Sequence, residues 1–149
     1  TSFYQLNKDL FDVGKRLNYL AIGIQEISNT KGLLTYAESQ GVEIIYGKEL
    51  VPHHIDAVKT KIEQFAQQVD DLYFTIDMDV FAAAFAPGVS AVAYDGIIPD
   101  SNFYELLSFI YQQPNLISMD IAELNPRFDL DERTAKLAAN LIFQFLQKF

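Results

Sequence analysis

Cysteine is absent from the 149-residue sequence, which therefore forms no disulfide and offers no thiolate as a nucleophile or metal ligand. Basic residues are scarce: 11 Lys and Arg stand against 20 Asp and Glu, for a formal net charge of −9. Because nucleic acids and anionic membranes attract cationic surfaces, this balance argues against both as partners. The sequence also lacks an apolar run of about 20 residues and a basic segment followed by an apolar one near its start. We expect a cytoplasmic protein.

The apolar residues that are present predict one α/β domain. They make up 50% of the chain and include 12 Phe and 8 Tyr, enough for a hydrophobic core. The segments that follow the predicted strands carry apolar residues at spacings of three and four, which is typical of amphipathic helices. Strands that alternate with helices predict a three-layer α/β/α fold around a mainly parallel sheet. The four predicted strands are residues 17–25, 42–46, 72–76 and 116–121.

The predicted fold is small for its class. The sequence starts at Thr1 rather than at a Met, and a parallel sheet of four strands leaves unprotected edges. No repeat or linker divides the chain. We therefore expect residues 1–149 to form one part of a single, larger α/β domain.

Acidic side chains follow the third and fourth predicted strands. Asp77 and Asp79 come directly after the third strand, while Asp120 lies near the end of the fourth and Glu123 just beyond it. Residues two apart in a strand lie on one side, about 6–7 Å apart, a separation that suits a pair of metal ions. Ligands bind outside the carboxyl ends of parallel strands, and carboxylate oxygens suit Mg²⁺ or Mn²⁺. The acids therefore predict one metal-binding pocket, unless each strand simply ends in a solvated acidic turn.

Both acidic segments resemble motifs of the ureohydrolases, the superfamily of arginases, agmatinases and formimidoylglutamases. Residues 75–79 (TIDMD) match its S/T-x-D-x-D motif, and residues 120–126 (DIAELNP) match its D-I-x-E-x-N-P motif. The resemblance implies that the chain is the C-terminal part of an arginase-like domain. It also implies that Asp77 and Asp79 ligate two Mn²⁺ ions, and that Glu123 binds the amidine-like group of a small-molecule substrate.

Within the superfamily, residues 22–30, 86–91 and 125–131 are most similar to the formimidoylglutamases. These enzymes hydrolyse N-formimidoyl-L-glutamate to glutamate and formamide in histidine degradation. Residues 82–84 (AAA) and 88–90 (GVS) stand where arginases and agmatinases usually carry Asp-Pro and Gly-Thr-Gly, which favours a formimino substrate. The implied mechanism is attack of Mn-bound hydroxide on the formimino carbon, with Glu123 and Asp79 as catalytic residues.

Two motifs of the first half of the superfamily are missing, namely Gly-Gly-x-His and Asp-Ala-x-x-x-Asp. They supply the remaining metal ligands. The two histidines, His53 and His54, precede a predicted helix and read as surface residues. The resemblance therefore implies that this chain alone is inactive and that the N-terminal half of the same enzyme is its partner. It leaves room for a homo-oligomer as well.

Three further residues have two interpretations each. Asn29, in the loop after the first strand, either binds the amino-acid end of the substrate or caps a helix. Arg127 either binds a substrate carboxylate or pairs with Asp129 or Asp131. Asp120 either orients a group of the metal site or accepts a hydrogen bond from loop backbone.

Other functions remain open on the sequence. An arginase-like or agmatinase-like activity keeps the same metal ligands. Asp77-Met78-Asp79-Val80 after an apolar strand also resembles the haloacid-dehalogenase phosphohydrolases, in which the first aspartate is a nucleophile and Mg²⁺ assists. A third interpretation is a non-catalytic interaction module, since most of the metal ligands are missing.

Overall fold

Strands and helices alternate along the computed structural model, which describes residues 2–148. Thr1 and Phe149 lie outside the described residues. The order of the elements confirms the predicted alternation, and no helix within residues 2–148 has the length and apolarity needed to cross a bilayer. The elements are α1 (Ser2–Asp12), β1 (Leu20–Ile24), α2 (Lys31–Ser39), β2 (Glu43–Tyr46), α3 (Ile55–Ala66), β3 (Leu72–Asp77), α4 (Ser101–Tyr111), β4 (Leu116–Ala122) and α5 (Arg133–Leu146).

Short polar side chains set where two of the helices begin. Thr30 Oγ1 accepts the backbone N–H of Leu33 at 3.3 Å and caps α2. Asp100 Oδ1 accepts the N–H groups of Asn102 and Phe103, both at 3.0 Å, and caps α4. These bonds satisfy donors that the first turn of a helix leaves unpaired.

Parallel pairing joins β1 to β2 and β3 to β4. The predicted parallel direction is confirmed, whereas the four strands form two separate pairs rather than one sheet within the part of the chain described. In the second pair Thr75 lies opposite Asp120. Apolar patterning specifies which face of a strand is buried, and it does not specify the neighbour at each edge.

Helix α4 lies between two apolar clusters. Its Leu107 and Tyr111 belong to a cluster with β3, β4 and α5, and its Leu106 and Ile110 belong to a cluster with β1, β2 and α3. Phe74 of β3 packs against both clusters. Strand β3 is therefore packed against the core along its length, and this packing fixes the position of its carboxyl end.

The opposite face of the β3–β4 pair is polar. The hydroxyl groups of Tyr73 and Thr75 donate hydrogen bonds across the pair to the carboxylate of Asp120. Tyr73 is 49% exposed, and Ser118 on the same face is exposed too. The buried hydrogen bond to loop backbone predicted for Asp120 is not found within residues 2–148, since its exposed carboxylate links the two strands. Its predicted role in orienting a group of the metal site stays a prediction.

Candidate metal and substrate site

The two aspartates lie at the carboxyl end of β3, on either side of a change in backbone conformation. Asp77 is the last residue of the strand, and Met78–Val80 form one turn of 3₁₀ helix. Asp77 Oδ1 accepts the backbone N–H of Asp79 at 2.8 Å and so caps that turn. The expectation that both aspartates continue one strand is wrong, because Asp79 belongs to the turn. The cap nevertheless keeps the two residues adjacent.

Asp79 is the more buried of the pair. Its Oδ1 atom is inaccessible to solvent and has no hydrogen-bond partner among the residues described. Burial raises the pKa of Asp79 to about 6, with the charges of Asp77 and Glu123 contributing in the same direction. The carboxylates of Asp77 and Glu123 are therefore close enough for their charges to act on Asp79. An acceptor oxygen that no N–H or O–H group satisfies is suited to a cation.

The raised pKa of Asp79 predicts how the metal-free protein responds to pH. The folded state holds the proton of Asp79 more tightly than the unfolded state, so the contribution of this residue to stability is largest below pH 4 and is lost as pH rises through about 6. Removing the charge by Asp79→Asn is therefore expected to raise the unfolding free energy at pH 7.5 by about 1 kcal/mol, after allowing for solvent screening. Urea unfolding in EDTA from pH 4 to pH 8 measures this difference, which should vanish near pH 4.

Addition of Mn²⁺ provides the control for that experiment. Binding to the native state stabilises it, and the ion needs the charged carboxylate. Mn²⁺ should therefore reverse the order and make the wild-type protein the more stable one at pH 7.5. Equal stability of the two proteins in EDTA at every pH would contradict the burial of Asp79 described here.

Glu123 follows β4 with an unusual backbone conformation. Its φ angle is +66°, in the left-handed region that residues other than glycine seldom adopt. Such angles cost free energy and are concentrated at active sites and ligand-binding segments, although Asp131 and Glu132 adopt them here as well. Asn125, two residues later, donates its backbone N–H to the carbonyl of Gly88 at 2.7 Å. The loop of Glu123 is thus tied to the loop that follows the paired aspartates.

Two isolated bridges hold together the segment between Val80 and Ile98, which follows the paired aspartates. Phe81 pairs with Ile97 and Ala82 pairs with Ala93 through isolated parallel bridges. Ala86 and Val89 are almost fully buried. Of the three alanines at 82–84, Ala82 is buried and Ala84 is exposed.

Asn29 uses only part of its hydrogen-bonding capacity. Asn29 donates its amide N–H to the carbonyl of Gln25 at 2.9 Å, which closes the turn between them, while Thr30 caps the helix. The helix-cap interpretation of Asn29 is therefore wrong. Its amide oxygen makes no hydrogen bond within the described residues.

Arg127 is exposed, and its guanidinium lies 5.9 Å from the ring centre of Phe128. The predicted pairing with Asp129 or Asp131 is not formed in the part of the chain described. Asp129 accepts two backbone N–H groups of α5, and Asp131 lies 3.8 Å from Arg133 instead. The charge of Arg127 is therefore available to an anionic ligand.

The side chain of Gln25 was not singled out by the sequence. It follows β1, and its Oε1 atom is buried without a hydrogen-bond partner among residues 2–148. The position of Gln25 at the carboxyl end of a buried strand is the signal that could have identified it.

No complete set of metal ligands is found among residues 2–148. Among residues 2–148 no group of three or more His, Cys, Asp or Glu side chains is arranged to hold a metal ion. His53 and His54 are exposed and contact each other, as predicted for surface residues. Asp77 and Asp79 therefore fit as two ligands of a metal site that needs further donors.

Comparisons with known proteins give one consistent answer. The profile of the arginase family matches residues 5–147. A formimidoylglutamase of Staphylococcus carnosus is 41% identical over 146 residues, which are 98% of this chain and 46% of that protein. The chain thus spans about half the length of this relative.

Solved structures agree on the fold. A formimidoylglutamase from Bacillus subtilis superposes with a TM-score of 0.79 and 28% identity, over 87% of this chain and 40% of that one. A Trypanosoma cruzi formiminoglutamase superposes with a TM-score of 0.80 over 100% of this chain and 50% of that one. At 22% identity the second likeness shows the fold alone.

Proposed function

Because this chain belongs to the arginase family, we propose that the longer protein containing it hydrolyses N-formimidoyl-L-glutamate to L-glutamate and formamide. The observation that carries the substrate is the 41% identity to a formimidoylglutamase across 98% of the chain. Membership of the family excludes the alternative of a haloacid-dehalogenase phosphohydrolase. The chain would be the C-terminal part of the enzyme's domain, and the N-terminal part would supply the other metal ligands.

Asp77 and Asp79 are the residues that would hold a pair of Mn²⁺ ions. Both offer hard carboxylate oxygens, and the unsatisfied Oδ1 of Asp79 lacks the donor that a buried oxygen normally has. When bound, the two ions supply the Lewis acidity that makes a water molecule nucleophilic near neutral pH. Because Asp77 also caps the turn that carries Asp79, one aspartate sets the position of the other.

Glu123 would orient the substrate. Its negative charge lies near Asp79, as the effect on the pKa of Asp79 indicates. A carboxylate there can accept two N–H groups of the formimino moiety by charge-assisted hydrogen bonds, which places the formimino carbon beside the nucleophile. Asp79 would accept a hydrogen bond from the attacking water and so direct it to the same carbon.

The glutamate end of the substrate carries two carboxylates and one amino group. Arg127 would bind a carboxylate, since its guanidinium has no carboxylate partner within residues 2–148. The free amide oxygen of Asn29 would accept the amino group. These roles follow from the unused bonding capacity of the two side chains.

Glu123→Gln tests this assignment in the full-length protein. The neutral amide loses the charge-assisted bonds but keeps its size, so kcat/KM for formamide release should fall about a hundredfold. Glu63→Gln, on the exposed face of α3, is the matched control and should leave the rate unchanged. A Glu123→Gln enzyme as active as the wild type would remove Glu123 from the site.

A further inference from the structure

Two segments are joined by one buried hydroxyl group, that of Thr134. Thr134 lies in the first turn of α5 and is 0% exposed. Its Oγ1 atom accepts the backbone N–H of Gly88 at 2.8 Å. Gly88 belongs to the loop that follows the paired aspartates, so the hydroxyl group joins that loop to α5.

Gly88 carries the connection onward to Glu123. The carbonyl of Gly88 accepts the backbone N–H of Asn125 at 2.7 Å. Asn125 stands two residues after Glu123, whose left-handed backbone gives it little freedom to adjust locally. A shift of Gly88 therefore moves the anchor of the Glu123 loop.

Asp129 holds Thr134 in place and leaves no space for Gly88 to move toward α5. Its two carboxylate oxygens accept the N–H groups of Thr134 and Ala135 at 2.9 and 3.0 Å. A Cβ atom built on Gly88 would lie 2.5 Å from the Cβ of Asp129. The backbone of Gly88 is thus in direct contact with the residue that caps α5.

We propose that Thr134 is a positioning residue of the site, which acts through Gly88 to fix the Glu123 loop relative to Asp79. The proposal rests on the proposed function for its catalytic consequence only. The hydrogen bonds that join Thr134, Gly88 and Asn125 involve none of the side chains assigned above to the metal or the substrate. Loss of the hydroxyl leaves the buried N–H of Gly88 without an acceptor, which the loop can relieve only by moving.

The test compares three variants of the full-length protein. Thr134→Val removes the hydroxyl at nearly constant volume, and Thr134→Ser retains it. Tyr111→Phe is the matched control, because it removes another buried hydroxyl bond to the same helix, from Tyr111 to the carbonyl of Leu141 at 3.1 Å. Amide hydrogen exchange and the kinetics of formamide release are measured for each variant.

In Thr134→Val, amide exchange at Gly88 and Asn125 should accelerate about tenfold or more. The kcat should fall about tenfold to a hundredfold while KM changes little, because a misplaced group costs mainly at the transition state. Thr134→Ser should restore both, and Tyr111→Phe should alter neither.

Unchanged exchange at Asn125 in Thr134→Val overturns the proposal, as does an equal loss of kcat in Tyr111→Phe. A wild-type enzyme that releases no formamide refutes the proposed function instead. The exchange data then still decide whether Thr134 fixes the Glu123 loop.

Discussion

Asp77→Asn in the full-length protein is expected to lower Mn²⁺-dependent formamide release by about a thousandfold. The substitution is nearly isosteric, and the amide oxygen of Asn can still accept the N–H of Asp79 that Asp77 accepts at 2.8 Å. The turn at Met78–Val80 should therefore keep its shape. What is lost is the negative charge at the carboxyl end of β3, which is the property that a divalent ion requires.

Metal content measured beside the kinetics separates ligand loss from unfolding. The Asp77→Asn protein should bind less Mn²⁺ than the wild type while its circular dichroism spectrum is unchanged. Asp71→Asn is the matched control, because Asp71 is exposed and precedes the opposite end of β3. If Asp77→Asn kept both full Mn²⁺ content and a tenth or more of the activity, Asp77 would not be a ligand.

Gly88→Ala is expected to have the largest effect on stability. The added Cβ would lie 2.5 Å from the Cβ and 2.8 Å from the Cα of Asp129, distances that real contacts do not reach. Because the Cα belongs to the backbone, no rotation of a side chain relieves the clash. The unfolding free energy should fall by about 3 kcal/mol. Formamide release should be lost as well, because the loops that carry Gly88 and Glu123 would separate.

Gly32→Ala provides the control for that glycine substitution. A Cβ at Gly32 meets nothing within 4 Å, and the residue lies in α2. Alanine is the better helix former, so this variant should gain up to about 1 kcal/mol of stability in urea unfolding. Equal stability of the two variants would mean that the Gly88 loop is not packed against Asp129.

The sequence predicted those features that depend on apolar patterning. Strands β3 and β4 and the acids after them were predictable, since each apolar run stops at a carboxylate. The resemblance to the ureohydrolases is confirmed by the family match over residues 5–147.

Features that depend on local backbone geometry were not predictable. A D-x-D segment fits a strand and a 3₁₀ turn equally well, and only the bond from Asp79 N–H to Asp77 selects the turn. The left-handed φ of Glu123 has no signal in its residue type, because glutamate rarely adopts it. The division of the strands into two pairs was not predicted either, because apolar patterning does not specify which strands are neighbours.

The role of Thr134 could not be predicted, because it depends on a hydrogen bond between residues that lie far apart in the sequence. Its partner Gly88 lies 46 residues away, and a threonine in the first turn of a helix reads as an ordinary capping residue. Asp120 was expected to serve the loop or the metal site, and in the structure its carboxylate links Tyr73 and Thr75. In both cases the role depends on a hydrogen bond between two different parts of the fold.

The most direct test of the account is the product that the full-length protein releases with Mn²⁺ from N-formimidoyl-L-glutamate, arginine and agmatine supplied separately. We expect formamide from the first substrate, no urea from the other two, and loss of the formamide signal in EDTA. Urea from arginine or agmatine would keep the metal site and contradict the substrate. No product from any of the three would contradict the proposed hydrolase and favour a non-catalytic role.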